Sequence, residues 1–290
     1  MKFLLKIYRF FSKGKVSSMR LLLYVGFGFI LSKDFTFTLY SLDLLLVFTG
    51  ILFASILNDY FDYKYLGELN AIGKMLKEKK IKESTVYLSI ILPGILPFIL
   101  FYLMWEANAP SWSLIMLLVS FMMSILYCAP PFRFKEKKIV GLLLPPLGIY
   151  LLFFQGVLLS GIPDKVNLII AGNIFLFSWY LEFLHLADDA LEKNEYKKLN
   201  FIPALKLAKA IIILSFIINA YFAWYFTLIL IPVFFSLYRF IKLQYINENN
   251  LKENRHNLLS GIYRIEEFII LAIFIIIQNP SYNDLLFQLV

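Results

Sequence analysis

Five residues, Asn58-Asp59-Tyr60-Phe61-Asp62, place two carboxylates and an amide at the end of an apolar run that otherwise carries almost no charge. Asp59 and Asp62 are three apart, so on a helix they share one face and one turn. Like charges held that close repel, and beside hydrocarbon neither is easily solvated, so a cation between them is the chemistry the spacing suggests. Carboxylate oxygens suit Mg²⁺, which keeps some of its waters and completes its shell with substrate phosphate. The competing explanation is a solvated helix end, where acids and amides are common.

A second acidic cluster comprises Glu182, His185, Asp188, Asp189 and Glu192. Asp188 and Glu192 form an i, i+4 pair, while Glu182, His185, Asp189 and Glu192 recur at helical spacings of three, four and three. Glu182 lies about two turns inside the span, where a carboxylate facing lipid is costly, so it is expected to point into a bundle. Alternatively, the chain from Asp188 onward is a solvated loop.

The third constellation is Tyr127-Cys128-Ala129-Pro130-Pro131-Phe132-Arg133-Phe134-Lys135. Two consecutive prolines cannot continue a helix, so they end one and fix the turn that follows. Alternation of Arg133 and Lys135 with Phe132 and Phe134 predicts an extended segment that aims both cations to one side. Cations so directed suit a diphosphate, which arginine grips through its planar fork, although juxtamembrane cations also anchor lipid headgroups.

Membrane helices must position these groups. Of the 290 residues, 60% are hydrophobic and 17% charged, and the mean hydropathy of +0.73 identifies an integral membrane protein. Nine runs are long enough to cross roughly 30 Å of hydrocarbon: 18–33, 38–60, 84–105, 111–129, 139–160, 166–187, 203–222, 223–244 and 260–279. Residues 1–17 carry Lys2, Lys6, Arg9 and Lys13 opposite Phe3, Leu4, Ile7 and Phe11, the pattern of a helix lying on the membrane surface. The chain thus divides into an interfacial helix, 1–17, and one transmembrane domain, 18–290.

Charge tests that count. With the N-terminus cytoplasmic, nine spans put all 28 basic residues except Lys33 and Lys165 on the inner side. The net charge of +8 therefore falls between apolar runs, where it faces anionic lipid or an anionic substrate and not nucleic acid. Longer inner loops follow spans 2, 4 and 6, so the polar chemistry converges on the cytoplasmic face. A transporter would show ionisable groups near mid-bilayer, whereas here nearly all charge lies at span ends; Asp43, near the outer end of span 2, is the main exception and has no obvious role.

Together the three constellations resemble the UbiA superfamily of intramembrane prenyltransferases. Members have nine helices, an Asn-Asp-x-x-Asp-x-x-x-Asp motif after helix 2, an acid-rich motif after helix 6, and often Tyr-Ser-x-Pro-Pro-x-Arg-x-Lys after helix 4. Asn58, Asp59 and Asp62 match the first of these, and Tyr127, Pro130, Pro131, Arg133 and Lys135 the last. The third aspartate of the first motif falls on Leu66, with Glu68 the nearest acid, and the second motif lacks its usual spacing. Either Asp188 with Glu192 replaces an Asp-x-x-x-Asp pair, or Asp189 is the matching residue and Lys193 stands where a second acid is expected.

The resemblance implies an all-α, nine-span enzyme transferring an isoprenoid group from a prenyl diphosphate donor to a lipophilic acceptor such as an aromatic or quinone precursor. Mg²⁺ would be held by Asp59, Asp62, Asp188, Asp189 and Glu192. Asn58, Lys74, Lys77, Tyr127, Arg133 and Lys135 would bind the diphosphate, and His185 or Glu182 would take the released proton or support the site. A UbiA-like terpene cyclase, which needs no acceptor, is the nearest alternative. A transporter or a non-catalytic scaffold lies further off.

Overall fold

In the computed structural model, described over residues 21–30, 36–137, 139–159, 162–191, 200–225 and 229–251, every regular element is helical. They are α1 (Leu21–Ile30), α2 (Phe37–Leu66), α3 (Ala71–Lys77), α4 (Glu83–Glu106), α5 (Ser111–Cys128), a 3₁₀ turn (Phe134–Glu136), α6 (Val140–Leu158), α7 (Lys165–Leu191), α8 (Phe201–Ala223) and α9 (Leu230–Gln244). Six helices among the described residues are long and apolar enough to cross a membrane: α2, α4, α5, α6, the Asn167–Asp188 part of α7, and α8. The expected interfacial helix 1–17 and ninth span 260–279 lie outside the described residues.

Most expected spans coincide with helices to within a few residues, because their ends carry signals the backbone obeys. Ala129 ends α5 one residue before Pro130. α2 is the exception that matters, since it runs to Leu66 and not to 60. Gly67 caps it at φ 67°, a left-handed conformation that glycine adopts without penalty. The Gly67 and Glu68 N–H groups then donate to the Tyr63 and Asp62 carbonyls at 3.1 and 3.3 Å. Asn58 to Asp62 consequently sit inside the helix, one turn before its end, on rigid backbone.

The chain divides into two compact units. In the first, 1–29, 34–144 and 151–161, α2 is the central element and packs against α3, α4 and α5. Its core is aliphatic, with Leu46, Val47 and Ile51 of α2 against Leu100 and Met104 of α4 and Leu114 and Leu117 of α5.

Asp43, which the sequence left without a role, is fully buried in this unit. Gln155 of α6 donates to Asp43 Oδ1 at 2.8 Å and to Ser113 Oγ of α5 at 3.1 Å, so one amide ties three helices together.

In the second unit, 30–33, 145–150 and 162–290, α8 packs against α7 and α9. Small residues at the contact, Ala204 and Ala208, permit close approach. A polar ladder crosses it: Asn219 donates to Ser215 at 3.2 Å, Ser215 donates to Asn173 at 3.3 Å, and Ser236 lies 3.2 Å from Ser215. Arg239 of α9 is buried within its helix, its guanidinium 3.9 Å from the Phe177 ring centroid.

Candidate active site

The last turns of α2 present the first acidic motif on two faces. Asp59 and Asp62 are both buried, at 3% and 6% exposure. Tyr60 points elsewhere, its hydroxyl bonded to Glu83, lying 2.8 Å from the Tyr87 hydroxyl and accepting from Lys64 at 3.2 Å. This network fixes the rotation of α2 against α4, which sets the direction of both aspartates.

The loop after α2 braces the same turn. Asn70 caps the N-terminus of α3 by accepting from the Gly73 N–H at 2.9 Å, and donates its own amide to the Asp59 carbonyl at 2.8 Å. Lys74 and Lys77, expected to bind diphosphate, are exposed on α3. Leu66, at the position of the family's third aspartate, is half-buried, and Glu68 is exposed.

The Pro-Pro segment delivers both of its cations to Asp62, though not in the expected geometry. The extended segment at 132–135 is absent. After a cis Pro130–Pro131 bond, Arg133 takes a left-handed conformation at φ 39°, and residues 134–136 form a 3₁₀ turn. The reason is backbone satisfaction: a strand beside helices has no ladder to bond with, whereas the turn pairs its own groups. The Arg133, Glu136 and Lys137 N–H groups donate to the carbonyls of Ala129, Arg133 and Phe134 at 3.0, 2.9 and 2.9 Å.

Gly141 lets this turn lie directly on the start of α6. A Cβ there would come within 2.7 Å of the Lys135 carbonyl and 2.9 Å of the Phe134 carbonyl, neither of which can move freely.

Asp62 is the hub. Lys135 donates to Asp62 Oδ1 and, at 2.9 Å, to Asn58 Oδ1, while Asn58 donates to Asp62 Oδ2 at 2.9 Å. Arg133 Nη2 lies 3.5 Å from Asp62 Oδ1. At Asp62, a lysine and an arginine of the same chain thus converge on one carboxylate oxygen.

Arg133 is further held by Glu136, 2.7 Å from Nε and 2.6 Å from Nη2, and its guanidinium carbon lies 5.0 Å from the Tyr65 ring centroid. Its Nη1 is buried and finds no hydrogen-bond partner among the described residues. An unsatisfied guanidinium N–H beside two carboxylates and a lysine is a ready donor for an anionic ligand. Tyr127, half-buried, lies in the last turn of α5.

The second cluster belongs to the second unit. α7 continues to Leu191, so Asp188 does not begin a loop; it is buried at 1% exposure. Glu182 is half-buried and His185 exposed. Glu192 and the side chain of Asp189 lie outside the described residues. Among the described residues no three His, Cys, Asp or Glu side chains gather as a metal site.

Asn70, Glu136, Tyr65 and the Tyr60–Glu83–Tyr87 network were not foreseen. Only Glu136 carried a signal, as an acid three residues after Arg133.

No protein-family model and no curated protein matches the sequence. Solved structures do match by shape. A UbiA homologue from Archaeoglobus fulgidus bound to GPP and Mg²⁺ aligns with a TM-score of 0.68 at 18% identity, covering 95% of this chain and 99% of that one. The same homologue bound to DMAPP and Mg²⁺ gives 0.66 at 18% identity over 96% and 100%. A structure of digeranylgeranylglyceryl phosphate synthase gives 0.68 at 20% identity over 94% and 99%. At these identities the likeness establishes a UbiA-type fold over nearly the whole length of both chains, and that fold is one of membrane helices.

Proposed function

We propose that this chain, with the fold of the UbiA homologues, is a Mg²⁺-dependent membrane prenyltransferase. It takes an isoprenoid diphosphate as donor and passes the isoprenoid group to a lipophilic acceptor, an aromatic or quinone precursor or another lipid. The observation that supports this most is Arg133, buried beside Asp62 and Lys135 with one guanidinium nitrogen still unpartnered. Such a donor suits a phosphate oxygen, and the A. fulgidus homologue of the same fold binds GPP and DMAPP with Mg²⁺.

Asp59 and Asp62 offer Mg²⁺ hard carboxylate oxygens, and Asp188, Asp189 and Glu192 are proposed as its further ligands. Mg²⁺, when bound, supplies charge neutralisation for the departing diphosphate. Arg133 and Lys135 donate to the diphosphate oxygens, Asn58 and Tyr127 orient the same group, and Lys74 and Lys77 draw the anion in from solvent. His185 or Glu182 accepts the proton that the acceptor loses or steadies the carboxylates nearby. The complete arrangement has nine spans, N-terminus and site on the cytoplasmic face, a topology supported by the basic residues crowding one side.

Incubating purified protein with labelled geranyl diphosphate, Mg²⁺ and a membrane lipid extract tests this reading. Prenylated lipid is expected, with turnover in Asp59→Asn/Asp62→Asn lower by at least about 10²-fold; equal turnover in the double variant overturns the proposal. Leu66 at the third aspartate position favours a second reading, a terpene cyclase of the same fold. Labelled hydrocarbon or alcohol released without acceptor would select it.

A further inference from the structure

Both oxygens of Asp62 are already engaged by this chain. Asn58 occupies Oδ2, Lys135 and Arg133 converge on Oδ1, and the side chains of Asp62, Arg133 and Lys135 are only 8%, 7% and 13% exposed. A divalent cation approaching Asp62 must therefore enter a poorly solvated space that two cations of the protein already share, where like charges are weakly screened.

The two cations are held differently. Arg133 is clamped by two contacts to Glu136, by the Tyr65 ring and by the backbone turn at its own φ of 39°. Moving it would break all of them at once. Lys135 ends in a compact ammonium on a flexible four-carbon stem, and its bonds include those to Asp62 and Asn58. An ammonium exchanges one oxygen acceptor for another without rearranging its backbone.

We propose that Lys135 is a latch on Asp62. It holds the carboxylate closed to free divalent metal until a diphosphate arrives. The ammonium then swings from Asp62 to the diphosphate oxygens, and the released carboxylate oxygen becomes available as a metal ligand. Arg133 stays in place throughout, its Nη1 meeting the incoming anion. This inference rests on the diphosphate reading above and adds to it an order of events. Metal and diphosphate bind with strong positive coupling, reciprocal between the two ligands, because each opens the position the other needs.

The test is equilibrium dialysis of Mn²⁺ against the full-length chain in detergent. It is run with and without a saturating non-hydrolysable geranyl diphosphate analogue, corrected for metal the analogue binds in buffer. Wild type is expected to bind Mn²⁺ at least about tenfold more tightly with the analogue than without it. Lys135→Met is expected to bind Mn²⁺ more tightly than wild type without the analogue, so that the ratio falls well below the wild-type value. Lys135→Arg keeps a cation on Asp62 and retains most of the coupling. Lys82→Met, which removes an exposed cation from the loop before α4, leaves it unchanged.

The latch is overturned if wild type binds the analogue but shows no coupling, or if Lys135→Met couples as wild type does, and either result leaves the prenyltransferase reading standing. Failure of wild type to bind the analogue at all defeats that reading and the latch with it.

Discussion

Asn70 donates its side-chain amide to the Asp59 carbonyl at 2.8 Å while its oxygen caps α3, so a single residue joins the acidic turn of α2 to the helix that follows. Asn70→Ala should lose both bonds and lower stability by about 1–2 kcal/mol. Asn70→Asp should keep the cap but lose the donor. Thermal unfolding in detergent should therefore rank wild type above Asp, and Asp above Ala. Equal melting temperatures for all three would show that the brace contributes nothing.

Arg133 uses its planar fork on Glu136 and Asp62 and leaves Nη1 for a ligand. Lysine cannot reproduce that geometry. In Arg133→Lys the KM for the prenyl diphosphate should rise by about tenfold or more at nearly constant protein yield. An unchanged KM would remove Arg133 from the diphosphate site.

Gly141 is required because the carbonyls of Phe134 and Lys135 lie where a side chain would begin. Gly141→Ala should displace the 3₁₀ turn and withdraw both cations from Asp62. Turnover should then fall about as far as in a Lys135 variant, while the melting temperature drops less than for a core cavity. Wild-type turnover would mean the turn tolerates the shift.

Asp43 sits nineteen residues before Asp62 on the same helix, which is about 28 Å along its axis. Asp43→Ala strips Gln155 of one of its two acceptors and should cost about 1–3 kcal/mol of stability. Turnover per folded molecule should stay at the wild-type level. Loss of turnover without loss of stability would give this cluster a catalytic role.

The sequence was most legible where chain chemistry is local. Pro130 and Pro131 end α5 where expected, and the i, i+3 spacing of Asp59 and Asp62 does put both on α2. What stayed hidden depends on distant partners. Gln155 is 112 positions from Asp43 and Lys135 is 73 from Asp62, and no periodic pattern encodes either pair. The alternation of Phe132, Arg133, Phe134 and Lys135 misled because period-2 patterning speaks of a strand only where a neighbouring strand exists to bond it. α3 escaped notice because seven residues with two lysines carry too little apolar periodicity to register.

Isothermal titration of geranyl diphosphate into the purified chain in Mg²⁺ buffer addresses the central claim most directly. Saturable binding is predicted for wild type, reduced by at least about tenfold in Arg133→Met and in Asp62→Asn, with both variants folded by circular dichroism. No binding by wild type, or the same affinity in all three proteins, would contradict the assignment of Asp62, Arg133 and Lys135 as a diphosphate site.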